Sequence, residues 1–204
     1  LNLGGIANLS VNNSEKYIAF DVCPANRVLN MLVHELGKDF DEGGAVAATG
    51  KVHTPLLEEL NQLEYYAMPF PKSLSNDFGT DVVFPIIQQY DLSTQDELCT
   101  FTEHIALQTK EAVKRMSVSL PEARLLATGG GALNAFLVSR IAEQLKEFNI
   151  RVEVGDDNLV NYKEALIMAL IGVLRWREEY NVWASVTGAA KNSINGAIWM
   201  GAEA

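Results

Sequence analysis

Cysteine is scarce in this chain of 204 residues, with Cys23 and Cys99 the only two. Two cysteines make no disulfide framework, which points to a reducing compartment and a cytoplasmic location. Basic residues are outnumbered, 16 Lys and Arg against 26 Asp and Glu, for a net charge of −10. No Lys/Arg cluster stands out, so neither nucleic acid nor an anionic membrane is an expected partner. The acidity reads as ordinary solubility. The longest apolar run, "ALIMALIGVL" at 165–174, falls well short of the roughly 20 residues a bilayer demands. It reads instead as a buried helix. The opening "LNLGGIANLS" has neither a basic segment nor a cleavage site of the secretory kind. It also lacks a starting methionine and begins inside a β-prone run, which suggests a piece of something longer. Low-complexity tracts and solenoid-length repeats are missing too. His34, His53 and His104 lie far apart, without zinc spacing. Ser117 and Ser119 sit near a helix end without a nucleophile elbow.

What remains is a chain able to build a core. Hydrophobic residues make up 48% and charged residues 21%, a balance that argues against disorder and fits one large domain. "LNLGGIANLSV" and "EKYIAFDV" read as a hairpin joined by the turn-rich "NNSE". Behind Pro24, which suits a helix's first turn, Val28, Leu29, Leu32, Val33 and Leu36 follow helical spacing up to Gly37. "TPLLEELNQL" is a short helix, while 80–92 has no clear assignment. Ser93 and Thr94, ahead of Asp96 and Glu97, resemble the capped start of one long helix. "ARLLAT" is an apolar strand ending at Gly129, and Leu133, Leu137, Ile141 and Leu145 stripe the helix after it. "IRVEVG" is another strand, "YKEALIMALIGVLRWREE" a mostly buried helix, and the end a loop with a short strand-like close. Strands alternating with helices after a hairpin give an α/β architecture.

Ligands in such sheets sit outside the carboxyl ends of strands. Asp21, Gly129 to Gly131 and Gly155 are all expected there, along one edge. Asp21 directly follows an apolar strand and could take a proton from an attacking group, or simply cap the next helix. Gly4 and Gly5 interrupt a strand, marking a close approach of ligand or backbone, or a bulge. "LLATGGGALN" removes the Cβ atoms that would hold a ligand off the main chain, just before a helix N-terminus. It is neither a Walker A motif nor a dinucleotide fingerprint. Glu164 starts a helix behind a strand and loop, so it either faces the same edge or complements the helix dipole. Asp156 and Asp157 read as a solvated turn.

In order along the chain come "LNLGGIANLS", "FDVCPANRVLN", "DEGGAVAATGKV", "PKSLSNDF", "LLATGGGALNAFL", "YKEALIMALIGVL" and "WASVTGA". The series, over nearly the whole chain, resembles the carboxyl-terminal half of the anhydro-N-acetylmuramic acid kinases, within the sugar kinase–Hsp70–actin superfamily. The family pattern F-D-T-G-P-G-N is matched at Phe20, Asp21, Pro24 and Asn26, with Val22, Cys23 and Ala25 departing. Where the family tends to K-S-T-G-R-E, this chain has Lys72-Ser73-Leu74-Ser75-Asn76-Asp77.

The resemblance implies a ribonuclease H-like, actin/hexokinase-type ATPase domain across 1–204, a central mixed sheet with helices on both faces. It implies a carbohydrate kinase using ATP and Mg2+ that opens the 1,6-anhydro bridge of its amino sugar with water and phosphorylates the freed O6. Asp21 is then the base for the water, and Glu164 assists or orients the sugar. Asn26 belongs to the substrate side. Gly129, Gly130 and Gly131 line the adenosine, and Gly4 and Gly5 form the second phosphate loop. The superfamily's first phosphate loop lies in an amino-terminal domain, so the 204 residues alone are expected to fold without turnover. Dimers are common in the family, and the apolar carboxyl-terminal segment could supply a homodimer interface. The competing expectations are a related amino-sugar kinase without bridge hydrolysis and a non-catalytic actin-like nucleotide-binding domain.

Overall fold

The computed structural model describes residues 1–12, 17–116, 123–199 and 201. The expected turn after Asn12, together with Ser117 and Ser119, lies outside the described residues. The strands are β1 (Asn2–Leu3), β2 (Ile6–Asn12), β3 (Tyr17–Pro24), β4 (Arg124–Ala127) and β5 (Arg151–Val154). β1, β2 and β3 are antiparallel in sequence order, while β4 and β5 are parallel. Thr128 joins the two sets: Leu3 N donates to its carbonyl at 2.8 Å, and its own N donates to the Leu1 carbonyl at 2.9 Å. The result is one mixed sheet in the order β3-β2-β1-β4-β5. Only β2 runs against the rest, so the carboxyl ends of the other four share one edge.

The helices follow as α1 (Asn26–Val33), α2 (Thr54–Asn61), α3 (Glu64–Ala67), α4 (Phe84–Ile87), α5 (Thr94–Arg115), α6 (Ala135–Leu145), α7 (Asp157–Trp176) and α8 (Ala184–Thr187). The alternation of β2 and β3 turns Leu9, Ile18, Phe20 and Val22 to one face, where all are buried with Leu3 in the core shared by α1, α5 and α6. α5 starts as expected, with the Ser93 hydroxyl accepting from Asp96 N, a cap that satisfies an orphan N–H. Buried Glu103 on α5 accepts from Arg140 at 2.7 Å and Gln144 at 2.6 Å, pinning α6 alongside. Such pairing is the condition for burying a carboxylate.

Several expectations are corrected. Pro24 ends β3 and Ala25 caps α1, so the proline precedes the helix. Leu36 lies past α1 in a 3-10 turn and is exposed, because Gly37 reverses the chain there at φ 70°. The unassigned 80–92 region holds a π-helical turn, Phe78–Val83, running into α4 with Pro85 in its first turn. Leu133 is exposed in a 3-10 turn, leaving Leu137, Ile141 and Leu145 as the fully buried stripe of α6. β4 alternates instead of being wholly buried: Leu126 points out on the other face. Asp156 is the N-cap of α7, accepting from Leu159 N at 2.8 Å. The tail closes in α8 and an isolated bridge between Val182 and Ser193, not in a strand.

The largest correction concerns α7. It has the apolar sequence of a buried helix, yet none of its residues is buried, and Leu166, Met168 and Trp176 are 63%, 66% and 68% exposed. Hydrophobic sequence reports a need for cover, and no described element of this chain supplies it. No helix among the described residues is long and apolar enough to cross a membrane. Cys23 and Cys99 are free thiols, both buried.

Candidate active site

Asp21 lies inside β3, opposite Asn8, and not beyond the strand's end as its flanking residues suggested. A register shift between Ala7 and Asn8 sets this pairing, the local effect of a bulge. With Phe20 and Val22 turned to the core, alternation sends Asp21 to the opposite, open face. Its Oδ1 accepts from Asn8 Nδ2 at 2.5 Å and its Oδ2 accepts from Leu74 N at 2.8 Å. Its own N donates to the Lys72 carbonyl at 3.3 Å, and its carbonyl accepts from the Tyr65 hydroxyl at 2.6 Å. The base candidate is therefore held at main chain and side chain alike. Helix capping, the alternative role, is not what it does.

Asn8 in turn accepts from Asn2 Nδ2 at 2.9 Å. The Asn2 oxygen accepts from Lys163, whose amine also reaches Thr128 Oγ1 at 3.2 Å. A polar row thus crosses the open face from α7 to β3. Burial lowers the Lys163 pKa, with neighbouring Glu164 acting the other way. Glu164 sits one residue along α7, in the second turn and not at the helix start. It lines a cavity of about 590 Å³ between α7 and the open face, together with Asn2, Asn8 and Lys163.

The altered loop meets Asp21 through its backbone. The Lys72 side chain turns to the packed face, donating to the Tyr65 carbonyl at 3.0 Å with its amine 4.2 Å from the Tyr65 ring centroid. Burial, with Arg115 adding repulsion, lowers its pKa to about 8. Burial first, then the Asp21 and Cys23 charges, raise the Tyr65 phenol.

At the sheet's carboxyl edge, Gly4 and Gly5 are stitched to α1. The Gly5 carbonyl accepts from Ala25 N at 2.8 Å and the Gly4 carbonyl from Asn26 N at 3.1 Å. The first N–H groups of α1 are thereby used. In a trans peptide the N–H points opposite the C=O, so Gly5 N–H is turned away from the helix.

The triple glycine has two functions. A Cβ on Gly129, where φ is 79°, would sit 2.7 Å from Asn2 Oδ1, and one on Gly131 would sit 2.7 Å from the Leu3 side chain. These two glycines let the corner pack against β1. Gly130 meets nothing closer than Asn26 Nδ2 at 3.9 Å, and it borders a cavity of about 710 Å³ that Asn26, Asp41, Gly131 and Asn134 also line. The run leads into a 3-10 turn before α6, whose first turn is capped by Asn134. Asn26 bridges the edge, donating from Nδ2 to the Leu3 carbonyl at 3.1 Å. The edge therefore gathers Gly4, Gly5, Asn26 and Gly129 to Gly131, while Asp21 and Glu164 belong to the open face beside it.

Sequence reasoning missed Asn2, Asn8, Lys163 and the Leu74 N–H. The signal was present in "LNLGGIANLS", where two asparagines fall on the face opposite Leu3 and Leu9. Among the described residues no three His, Cys, Asp or Glu side chains gather as a metal site.

Comparison with known proteins bears on this arrangement. The chain is 32% identical over 203 residues to an anhydro-N-acetylmuramic acid kinase of Saccharophagus degradans, covering 97% of this chain and 54% of that protein. To the kinase of the same name from Synechocystis it is 33% identical over 215 residues, covering 97% and 55%. The chain thus spans about half the length of the curated relatives it matches. Among solved structures, the activator of the 2-hydroxyisocaproyl-CoA dehydratase from Clostridium difficile, with bound ADPNP, superposes with a TM-score of 0.50 at 16% identity. That match covers 89% of this chain and 63% of the activator, and it shows a shared fold, the actin-like α/β architecture. The family profile of anhydro-N-acetylmuramic acid kinase matches residues 1–201, and the chain belongs to that family.

Proposed function

We propose that this chain supplies the carboxyl-terminal, actin-like half of a kinase that opens 1,6-anhydro-N-acetylmuramic acid and phosphorylates it at O6, in cytoplasmic cell-wall recycling. The observation that carries the reading is the fixed Asp21 carboxylate, presented on an open sheet face beside a glycine-lined edge, in a chain of this family. Asp21 accepts a proton from a water that adds at C1. The bridging oxygen leaves C1, remains on C6, and takes the γ-phosphoryl of ATP as ADP departs. In phosphoryl transfer the protein acts mainly by positioning and charge stabilisation.

The cavity at Gly130 is the nucleotide's place: its floor lacks a Cβ, and Phe40 and Leu133 line it as exposed apolar groups. Gly4 and Gly5, at the same edge, form the second phosphate loop. Asn26 holds β1 and the glycine corner together, so it shapes this seat. Glu164, across the second cavity, orients the sugar. Mg2+ supplies charge neutralisation at the phosphates. It ordinarily keeps waters and phosphate oxygens as ligands. The half of the relatives' length that this chain does not span supplies the facing wall of the cleft and cover for α7. Without it the 204 residues fold but do not turn over.

The test uses a full-length form with Mg2+, ATP and the anhydro sugar in oxygen-18 water, read by mass spectrometry. A product carrying one phosphate and one labelled oxygen supports the coupled reaction. Phosphate without label on a non-anhydro amino sugar would assign the simpler kinase reaction instead. ATP binding with no product from any sugar would overturn the catalytic reading.

A further inference from the structure

The polar row on the open face has a direction. Lys163 donates to the Asn2 oxygen, Asn2 Nδ2 donates to the Asn8 oxygen at 2.9 Å, and Asn8 Nδ2 donates to Asp21 Oδ1 at 2.5 Å. Every link runs from donor to acceptor in the same sense, from a cation on α7 to a carboxylate on β3. Each amide has its oxygen towards the lysine and its NH2 towards the aspartate. Flipping Asn8 would set its oxygen against the carboxylate and its NH2 against that of Asn2, so both rotamers are fixed by their neighbours. Hydrogen bonds in such chains polarise one another. Asn8 has β2 beneath it and Asn2 has β1, rigid elements that hold the links in register.

The geometry points to Lys163, Asn2 and Asn8 as a positioning chain for Asp21, in which a cation on α7 sets the orientation of the carboxylate through two oriented amides. This rests on Asp21 being the base only for its catalytic consequence; the chain itself is a property of the fold. None of the three residues is assigned a chemical step. Their work is to hold Oδ1, so that with Leu74 N on Oδ2 the carboxylate plane has one setting when water is to be deprotonated. The arrangement also ties α7, otherwise unburied, to the reacting group.

Two readouts test it. In this chain, the Asn8 side-chain amide resonances and the Asp21 carboxyl carbon-13 shift are recorded for the parent, K163M and K163R. The chain predicts that K163M moves both signals and that K163R, which keeps a cationic donor, restores them. If K163M does not fold, Asn2→Ala cuts the same row from β1 and is read in the same way. Signals identical in the parent and the cut variants overturn the chain outright, whatever the enzyme does. In the full-length kinase, N8A is expected to lower kcat about tenfold or more with the KM for ATP within about twofold, since misplacing a catalytic group affects the transition state more than nucleotide binding. An unchanged kcat in an active parent would overturn the positioning role. Should the parent form no product, the proposed activity falls, and the resonances alone decide the chain.

Discussion

A Cβ placed on Gly131 would stand 2.7 Å from the Leu3 side chain and 2.8 Å from Asn26 Oδ1. The corner between β4 and α6 is therefore closed against the end of β1, and a methyl group there displaces a strand. Gly131→Ala is expected to cost about 1–3 kcal/mol, the usual range for overpacking. At Gly130 the added carbon meets only ordinary contact, 3.9 Å from Asn26 Nδ2. Gly130→Ala should keep the parent Tm and weaken binding of an ATP analogue if the cavity seats the nucleotide. Thermal denaturation and titration calorimetry on the two variants separate these functions. A Gly131→Ala variant as stable as the parent would contradict the packing argument.

His104 gives the fold an acid-sensitive point. It is fully buried, with Nδ1 2.8 Å from Asn61 Oδ1 and Nε2 2.9 Å from the Tyr66 hydroxyl. The amide oxygen of Asn61, which also accepts from Gln108, takes the Nδ1 proton, so Nε2 accepts from Tyr66. Burial lowers the His104 pKa to about 3 from 6.5. Below 6.5 the unfolded chain gains a proton that the folded chain refuses, so the contribution is complete above 6.5 and shrinks as pH falls towards 3. His104→Gln should lower stability at pH 7 by about 1–3 kcal/mol through unpaired partners. It should also flatten the loss between pH 6.5 and 3, as read from urea midpoints across pH.

Glu97 acts with the opposite sign. Its side chain is buried on α5, with Oε1 3.3 Å from Gln88 Nε2 and Oε2 without a hydrogen-bond partner among the described residues. Burial, then repulsion from Glu35, raises its pKa from 4.5 to about 7. Between those values the folded chain keeps a proton that the unfolded chain has lost, so stability falls as pH rises through this window. Glu97→Gln retains the shape without the charge. Its Tm should exceed the parent's at pH 8 and approach it near pH 4.5; a constant difference at both pH values would refute the assignment.

How much of this was legible in the sequence depends on how local the cause is. The Ser93 cap and the Leu137, Ile141, Leu145 stripe depend on neighbours within a turn or two, and they stand as read. The seven ordered motifs identified the family because each carries its own short pattern. α7 was misread because an apolar run states only that cover is wanted, not where the cover comes from. The polar row was missed for a related reason: Lys163 and Asn2 are 161 positions apart, and nothing in either segment announces the other. The joining of β1 to Thr128 is equally non-local, and it is what gathers the glycines at one edge.

Asp21 offers the sharpest test of the reaction, with one complication. Both carboxylate oxygens accept hydrogen bonds, from Asn8 Nδ2 and from Leu74 N. An asparagine has one oxygen, so Asp21→Asn places an NH2 against one of these donors in either rotamer. The variant should lose about 1–3 kcal/mol of stability, the penalty for a polar group left unpaired, as well as its base. Activity must therefore be measured well below its Tm. Under those conditions the full-length variant is expected to bind an ATP analogue as the parent does and to form no labelled sugar phosphate. A loss of nucleotide binding in step with activity would indicate collapse of the glycine edge instead of loss of the base. Retained product formation would remove Asp21 from the chemistry and leave the water to be activated by another group.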